Sequence, residues 1–171
     1  ASATPNERFH VMPREAPIAL IREIVDGFGA GAARMIEAGL DGVEIVASHG
    51  YLPDQFLNPR VNFRTDEYGG SFEGRLRFLP ECITSMQENV GDKVVGMRIC
   101  ASSNDPDGLT HNDVVEICRA LDEDGVLDYY NITAGSSAGL KASIHISPPM
   151  ESFDPGYVRT DARAIREAVS K

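Results

Sequence analysis

The chain of 171 residues has no tryptophan, only three cysteines, and a shortage of positive charge: 16 Lys and Arg against 26 Asp and Glu, for a net charge of −10. Each shortage excludes something. An acidic surface repels phosphate backbones and anionic headgroups, which argues against nucleic-acid and membrane-surface partners. No apolar run approaches the roughly 20 residues that span a bilayer, and residues 1–5 carry neither the basic nor the apolar stretch of a signal peptide. Cys82, Cys100 and Cys118 stand far apart with no C-x-x-C, so no zinc site, iron–sulfur cluster or other metal centre is expected. An odd, sparse set of this kind suits reduced core thiols in a cytoplasmic protein. A P-loop, a G-x-S-x-G and a G-x-G-x-x-G after a strand are also missing. Gly27-Phe28-Gly29-Ala30-Gly31 is dense in glycine but falls inside a helical pattern, where it reads as a close helix-packing face rather than a phosphate cradle.

What is present is an ordinary globular composition, 42% hydrophobic, of a length that suits one domain. Apolar residues from Ile18 to Ile36 recur at helical spacing, and Gly39 sits where a helix closes. A strand over 42–47 follows, then an aperiodic stretch from His49 to Ser71, a helix over 71–90 ended by Gly91, and a strand over 94–99. Thr110 and Asp113 open another helix, with Val114, Ile117, Cys118 and Leu121 on its apolar face and Gly125 at its end. A strand over 127–133, a Gly/Ser-rich loop, Pro148-Pro149 and a helix opened by Asp154-Pro155 complete the pattern. Strands alternating with helices mean an α/β fold of parallel βαβ units. A doubly wound sheet and a (β/α)8 barrel both fit. A complete barrel takes about 250 residues, so this chain would hold about half of one.

In both folds the active site lies at the C-terminal ends of the strands. Here those ends carry His49 and Tyr51, then Arg98, then Asn131 and Thr133. An arginine inside an apolar strand is costly unless an anion or a dense set of acceptors meets it. A structural ion pair and a ligand site both satisfy that requirement. His49 reads equally as a loop histidine, and Tyr51 as a core tyrosine.

A long signature narrows this. It comprises Glu37-Ala38-Gly39-Leu40-Asp41-Gly42-Val43-Glu44-Ile45, His49-Gly50-Tyr51-Leu52, Gln55-Phe56-Leu57-Asn58-Pro59, Asn62, Arg64-Thr65-Asp66-Glu67-Tyr68-Gly69-Gly70-Ser71, Glu73, Arg75 and Arg77-Phe78. It resembles the old yellow enzyme family of FMN-dependent NADH:flavin oxidoreductases, with its 2,4-dienoyl-CoA reductase and trimethylamine dehydrogenase-like branches. The resemblance implies a partial (β/α)8 TIM barrel, about strands four to six with flanking helices. Residues 1–171 would then be part of an FMN-binding domain whose N- and C-terminal barrel parts lie outside this sequence. Arg98 matches the arginine that faces the flavin N1/O2 edge. His49 matches a side chain that holds the substrate carbonyl oxygen or another anionic group. Tyr51 matches the tyrosine that protonates the substrate α-carbon after hydride arrives from flavin N5.

The activity so implied takes hydride from NAD(P)H onto FMN and passes it to an activated alkene, an enone or enoyl thioester. One position departs from the family pattern: Val46 stands where the family has His or Tyr. That weakens a paired clamp on a carbonyl and leaves two alternatives, oxidative N-demethylation of a small amine and a non-catalytic fragment or pseudo-enzyme packed on another polypeptide. The loop with His145 and Ser147-Pro148-Pro149-Met150 looks more like the dienoyl-CoA reductase and amine-demethylase side. His145 either supplies a missing donor there or is a solvent-exposed loop histidine. The partners expected are a small-molecule substrate and, through open sheet edges, further copies in a homo-oligomer. By itself the chain is expected to be colourless and inactive.

Overall fold

A computed structural model describes residues 1–123, 125–146 and 153–171. The element order is α1 (Ile18–Glu37), β1 (Gly42–Ala47), α2 (Leu52–Leu57), α3 (Phe72–Leu76), α4 (Phe78–Val90), β2 (Val94–Cys100), α5 (His111–Glu123), β3 (Tyr129–Thr133), α6 (Leu140–Ser143) and α7 (Arg159–Ala168). The three strands form one parallel sheet in the order β1-β2-β3. The register pairs Glu44 with Gly96 and Gly96 with Tyr129; one step further up the strands, Val46 pairs with Arg98 and Arg98 with Asn131.

Strand side chains alternate between faces, and here the two faces differ in kind. Val43, Ile45, Val95, Met97, Ile99, Tyr130 and Ile132 join a single core with Ile21 of α1, Ile83 and Met86 of α4, Val114, Ile117 and Leu121 of α5, and Ile165 of α7. The alternate set, Glu44, Val46, Gly96, Arg98, Cys100, Tyr129 and Asn131, takes no part in that core. Helices therefore cover one face, and the strand order runs in sequence without reversal. Neither feature belongs to a doubly wound sheet.

Helix ends follow local chemistry. Thr110 and Asp113 cap α5 reciprocally: Asp113 N donates to Thr110 Oγ1 at 3.3 Å, and Thr110 N donates to Asp113 Oδ2 at 2.7 Å. Gly39, Gly91 and Gly125 follow the ends of α1, α4 and α5 with φ of 92°, 68° and 65°, a region that costs glycine little. The helix expected over 71–90 is interrupted at Arg77, because Pro80 has no N–H to give to the Leu76 carbonyl. The strand expected from Leu127 starts at Tyr129, because the Asp128 carboxylate takes the Val95 N–H at 2.8 Å where a backbone carbonyl would stand. The last helix begins at Arg159 rather than at Asp154, since a turn closes first from Tyr157 N to Asp154 O at 3.1 Å. Helices α2 and α6 lie in stretches whose sequence shows no helical period. Residues 147–150 lie outside the described residues.

Of the three glycines in Gly27-Phe28-Gly29-Ala30-Gly31, one makes the close approach. A Cβ on Gly29 would stand 2.7 Å from the Ser85 carbonyl oxygen of α4, whereas one on Gly27 would meet nothing within 4 Å. In the full-length protein, Gly29→Val is expected to lower stability by about 1–3 kcal/mol through overpacking. Gly27→Ala is expected to be neutral or to stabilise by up to ~1 kcal/mol through helix propensity. Thermal unfolding of the two variants checks this; equal midpoints would show that α1 and α4 are not packed at Gly29.

Candidate active site at the strand ends

The long connection after β1 is held by the residues that make up the signature. Asn62 Nδ2 donates to the carbonyls of Phe56 at 2.6 Å and Tyr68 at 2.8 Å. Arg64, buried, donates to the carbonyls of Ala1 at 3.1 Å and Ala16 at 2.8 Å and is paired with Asp66. Tyr68 donates its hydroxyl to Glu81 at 2.8 Å. These side chains shape the loop that delivers the site and do not enter it.

Arg98 lies on the sheet face the helices leave free. Its Nε is buried with no hydrogen-bond partner, and it forms no ion pair with a carboxylate among the described residues. Among the described residues no structural ion pair holds this arginine. Below it, Glu44 accepts from Tyr129 Oη at 3.1 Å and from Asn131 Nδ2 at 3.0 Å. The Tyr129 ring crosses directly over Gly96, where any Cβ would collide with it. Val46, beside Arg98 in the register, is 36% exposed and offers no polar atom.

His49 follows β1 in a left-handed conformation, φ 62°, and Gly50 continues it at 78°. This pair of residues turns the chain so that Tyr51, 48% exposed, stands at the strand ends with its ring edge-on to His49 at a centroid distance of 6.4 Å. His49 itself is 8% exposed. Burial first, then the Arg98 charge, pushes its pKa below the ordinary value. These outweigh hydrogen bonding to the Gly135 and Ala134 carbonyls and favour the neutral imidazole, which carries one N–H. The structure places His49, Tyr51 and Arg98 at one end of the sheet.

Three residues around this turn escaped the sequence reading. Cys100, read as a core thiol, lies on the Arg98 face. Its Sγ donates to Gly135 O at 2.9 Å, accepts from His49 N at 3.3 Å and stands 3.6 Å from His49 Nδ1. A signal was available, since residues two apart in a strand share a face. Asp54, 2% exposed, accepts from Gly50 N at 2.8 Å, and burial pushes its carboxyl up to about 7. Ser137 N donates to His49 O at 3.0 Å. His145, half-buried, packs in an aromatic group, 5.0 Å from the Phe153 ring and 6.3 Å from Tyr157, whose hydroxyl donates to the His145 carbonyl at 2.9 Å. Its Nδ1 is buried without a partner among the described residues.

Comparison with known proteins finds the chain similar to flavin oxidoreductases. The profile of the NADH:flavin oxidoreductase / NADH oxidase family matches residues 4–142. The N,N-dimethylglycine/sarcosine dehydrogenase of Chromohalobacter salexigens is 40% identical over 151 residues, covering 88% of this chain and 22% of that protein. The NADPH dehydrogenase of Geobacillus thermodenitrificans is 40% identical over 161 residues, covering 94% of this chain and 46% of that one. Among solved structures, a 2-naphthoyl-CoA reductase in complex with 2-naphthoyl-CoA superposes with a TM-score of 0.82 at 29% identity, covering 98% of this chain and 25% of that one. The histamine dehydrogenase of Rhizobium sp. 4-9 gives 0.81 at 27% identity, covering 94% and 23%. The chain spans less than half the length of each.

Proposed function

The chain belongs to the NADH:flavin oxidoreductase / NADH oxidase family, and from that premise we propose that it forms part of the wall of a (β/α)8 barrel, at about strands four to six, and one side of an FMN site. Arg98 carries this reading: a guanidinium on the helix-free face, its Nε buried and unpartnered, is what an anionic ring edge requires. Bound FMN supplies a two-electron hydride carrier. Arg98 would hold the flavin N1/O2 edge and offset the negative charge that reduction places there, a fixed charge that needs no reorganisation. His49, kept neutral, donates a hydrogen bond to the substrate, and Tyr51 stands beside it.

Of the two substrate classes open to this site, Val46 favours a small amine. A valine beside Arg98 removes one arm of a carbonyl clamp, whereas the carbon next to an amine nitrogen gives up hydride without one. The nitrogen lone pair closes a C=N bond as hydride leaves, and water then splits that bond to an aldehyde and the shortened amine. The likeness to a dimethylglycine/sarcosine dehydrogenase points the same way. Reduction of an activated alkene at the expense of NAD(P)H is the second reading. The neutral His49 donor with Tyr51 at its edge favours it, as a pair able to hold a carbonyl oxygen and protonate the α-carbon.

The test uses the full-length, FMN-loaded protein. Formaldehyde released from N,N-dimethylglycine, without NADPH-dependent reduction of 2-cyclohexenone, supports the amine reading; the reverse supports the alkene reading; neither turnover sinks both. Val46→His is expected to shift the ratio of kcat/KM toward the enone by about tenfold, one hydrogen bond's worth. An unchanged ratio would remove Val46 as the residue that decides between the classes.

A further inference from the structure

The segment ahead of α1 brings a second cation to the strand ends. Asn6 N donates to Val11 O at 2.9 Å, closing a tight turn, and Asn6 Oδ1 accepts from Phe9 N at 3.1 Å. The turn is docked on the loop after β3: Glu7 N reaches Ala138 O and Arg8 N reaches Ser137 O, each at 3.4 Å, and Asn6 Nδ2 donates to Ser137 Oγ at 3.0 Å. Ser137 N in turn donates to the His49 carbonyl at 3.0 Å. Arg8 and His49 thus both bond to Ser137, and the Arg8 charge lies near enough to help depress the His49 pKa, after burial and Arg98.

Among the described residues no carboxylate neutralises Arg8. The neighbouring carboxylate, Glu7, accepts from Leu140 N at 2.9 Å. Arg8 makes no ion pair among the described residues; its guanidinium carbon stands 5.8 Å from the Phe9 ring centroid, and the residue is exposed. In a chain of net charge −10, two arginines act on one neutral histidine at the end where the substrate is held. With Arg98 assigned to the flavin, Arg8 is a second cation docked through Ser137 beside the His49 turn. A guanidinium fork and a single N–H match the two oxygens of a carboxylate, and charge-assisted bonds of this kind are the strong ones.

We propose that Arg8 is a substrate-binding residue that selects molecules bearing a carboxylate and holds that group beside His49. The proposal rests on the oxidoreductase reading for what is then done to the molecule, but its binding step is measured without turnover. The full-length FMN-loaded protein is titrated with acetate and with acetamide, a neutral molecule of the same shape, following the flavin absorbance. Wild type is expected to bind acetate more tightly than acetamide. Arg8→Gln is expected to weaken acetate by about five- to tenfold while leaving acetamide alone, and Arg8→Lys is expected to restore part of the loss. The preference for acetate should shrink as salt rises, because the pair is exposed. Wild type without a preference for acetate, or an Arg8→Gln effect equal on both probes, overturns the proposal. A protein that shows the acetate preference yet turns over neither an amine nor an alkene would fail the oxidoreductase reading instead.

Discussion

Arg98→Ala in the full-length protein is expected to release FMN and to make the remaining flavin harder to reduce. The guanidinium has no carboxylate partner among the described residues and a buried, unsatisfied Nε, so its removal costs the fold little and the ligand much. A lost charge-assisted contact is worth about 1.5–3 kcal/mol, or roughly ten- to hundredfold in FMN retention. The reduction potential should fall with it, since the reduced ring loses the charge that offsets its own. Arg98→Lys should recover only part of either effect, an ammonium being a point charge rather than a planar fork. The same change acts on His49. Arg98 is the second cause, after burial, of that histidine's lowered pKa, so in Arg98→Ala the acid limb of any activity that needs neutral His49 should move to higher pH. Unchanged flavin occupancy and potential in the variant would end the assignment of Arg98 to the cofactor.

The largest stability effect is expected at Asp54. Its carboxyl is buried among α2 and the strand ends, and desolvation raises its pKa to about 7, against the single opposing bond from Gly50 N. The unfolded value is about 3.9. The folded state therefore binds the proton more tightly, and the resulting stabilisation is fully present below the unfolded value and lost as pH rises through about 7. A carboxyl carried from its unfolded value up to about 7 contributes about 4 kcal/mol at most. Asp54→Asn keeps an acceptor for Gly50 N and removes the titration. The variant should therefore gain on wild type as pH rises from 5 to 8, measured as the difference in unfolding midpoint at each pH. His49 titrates in the same window with the opposite sign, its lowered pKa costing stability as pH falls, but it is common to both proteins and cancels in the difference. A difference that stays flat across the window would show that Asp54 is ionised in the folded state throughout.

Much of this is legible in the sequence. β1 is legible to the residue, because Gly39 ends one helix and the apolar run over 42–47 has no helical period. The ends of the first two strands point to His49, Tyr51 and Arg98, and the structure brings them together. Helix α2 is not legible: six residues with a proline at the second position give no period to detect. It forms because the Asp54 carboxylate takes the Gly50 N–H in the turn before it, and the Gln55 N–H reaches the Tyr51 carbonyl. Asn62 and Arg64 stand out in the signature without revealing that they bind carbonyls of their own loop and of residues 1–16.

Sequence by itself determined the α/β alternation, the helix-ending glycines, the α5 cap and the family, because periodicity, turn chemistry and a long signature are local and survive in one dimension. Tertiary structure alone decided the rest. Strand order and the one-sided helices exclude a doubly wound sheet, and neither is written in any single segment. Whether Arg98 is paired depends on where 26 acidic residues end up in space, and none comes to it among the described residues. The surroundings of His49 are drawn from residues as far apart as Arg8, Asp54, Cys100 and Ser137, joined through bonds to the His49–Gly50 turn or to Ser137 beside it. The lowered pKa of His49 and the raised pKa of Asp54 follow from burial and from neighbours that only folding supplies.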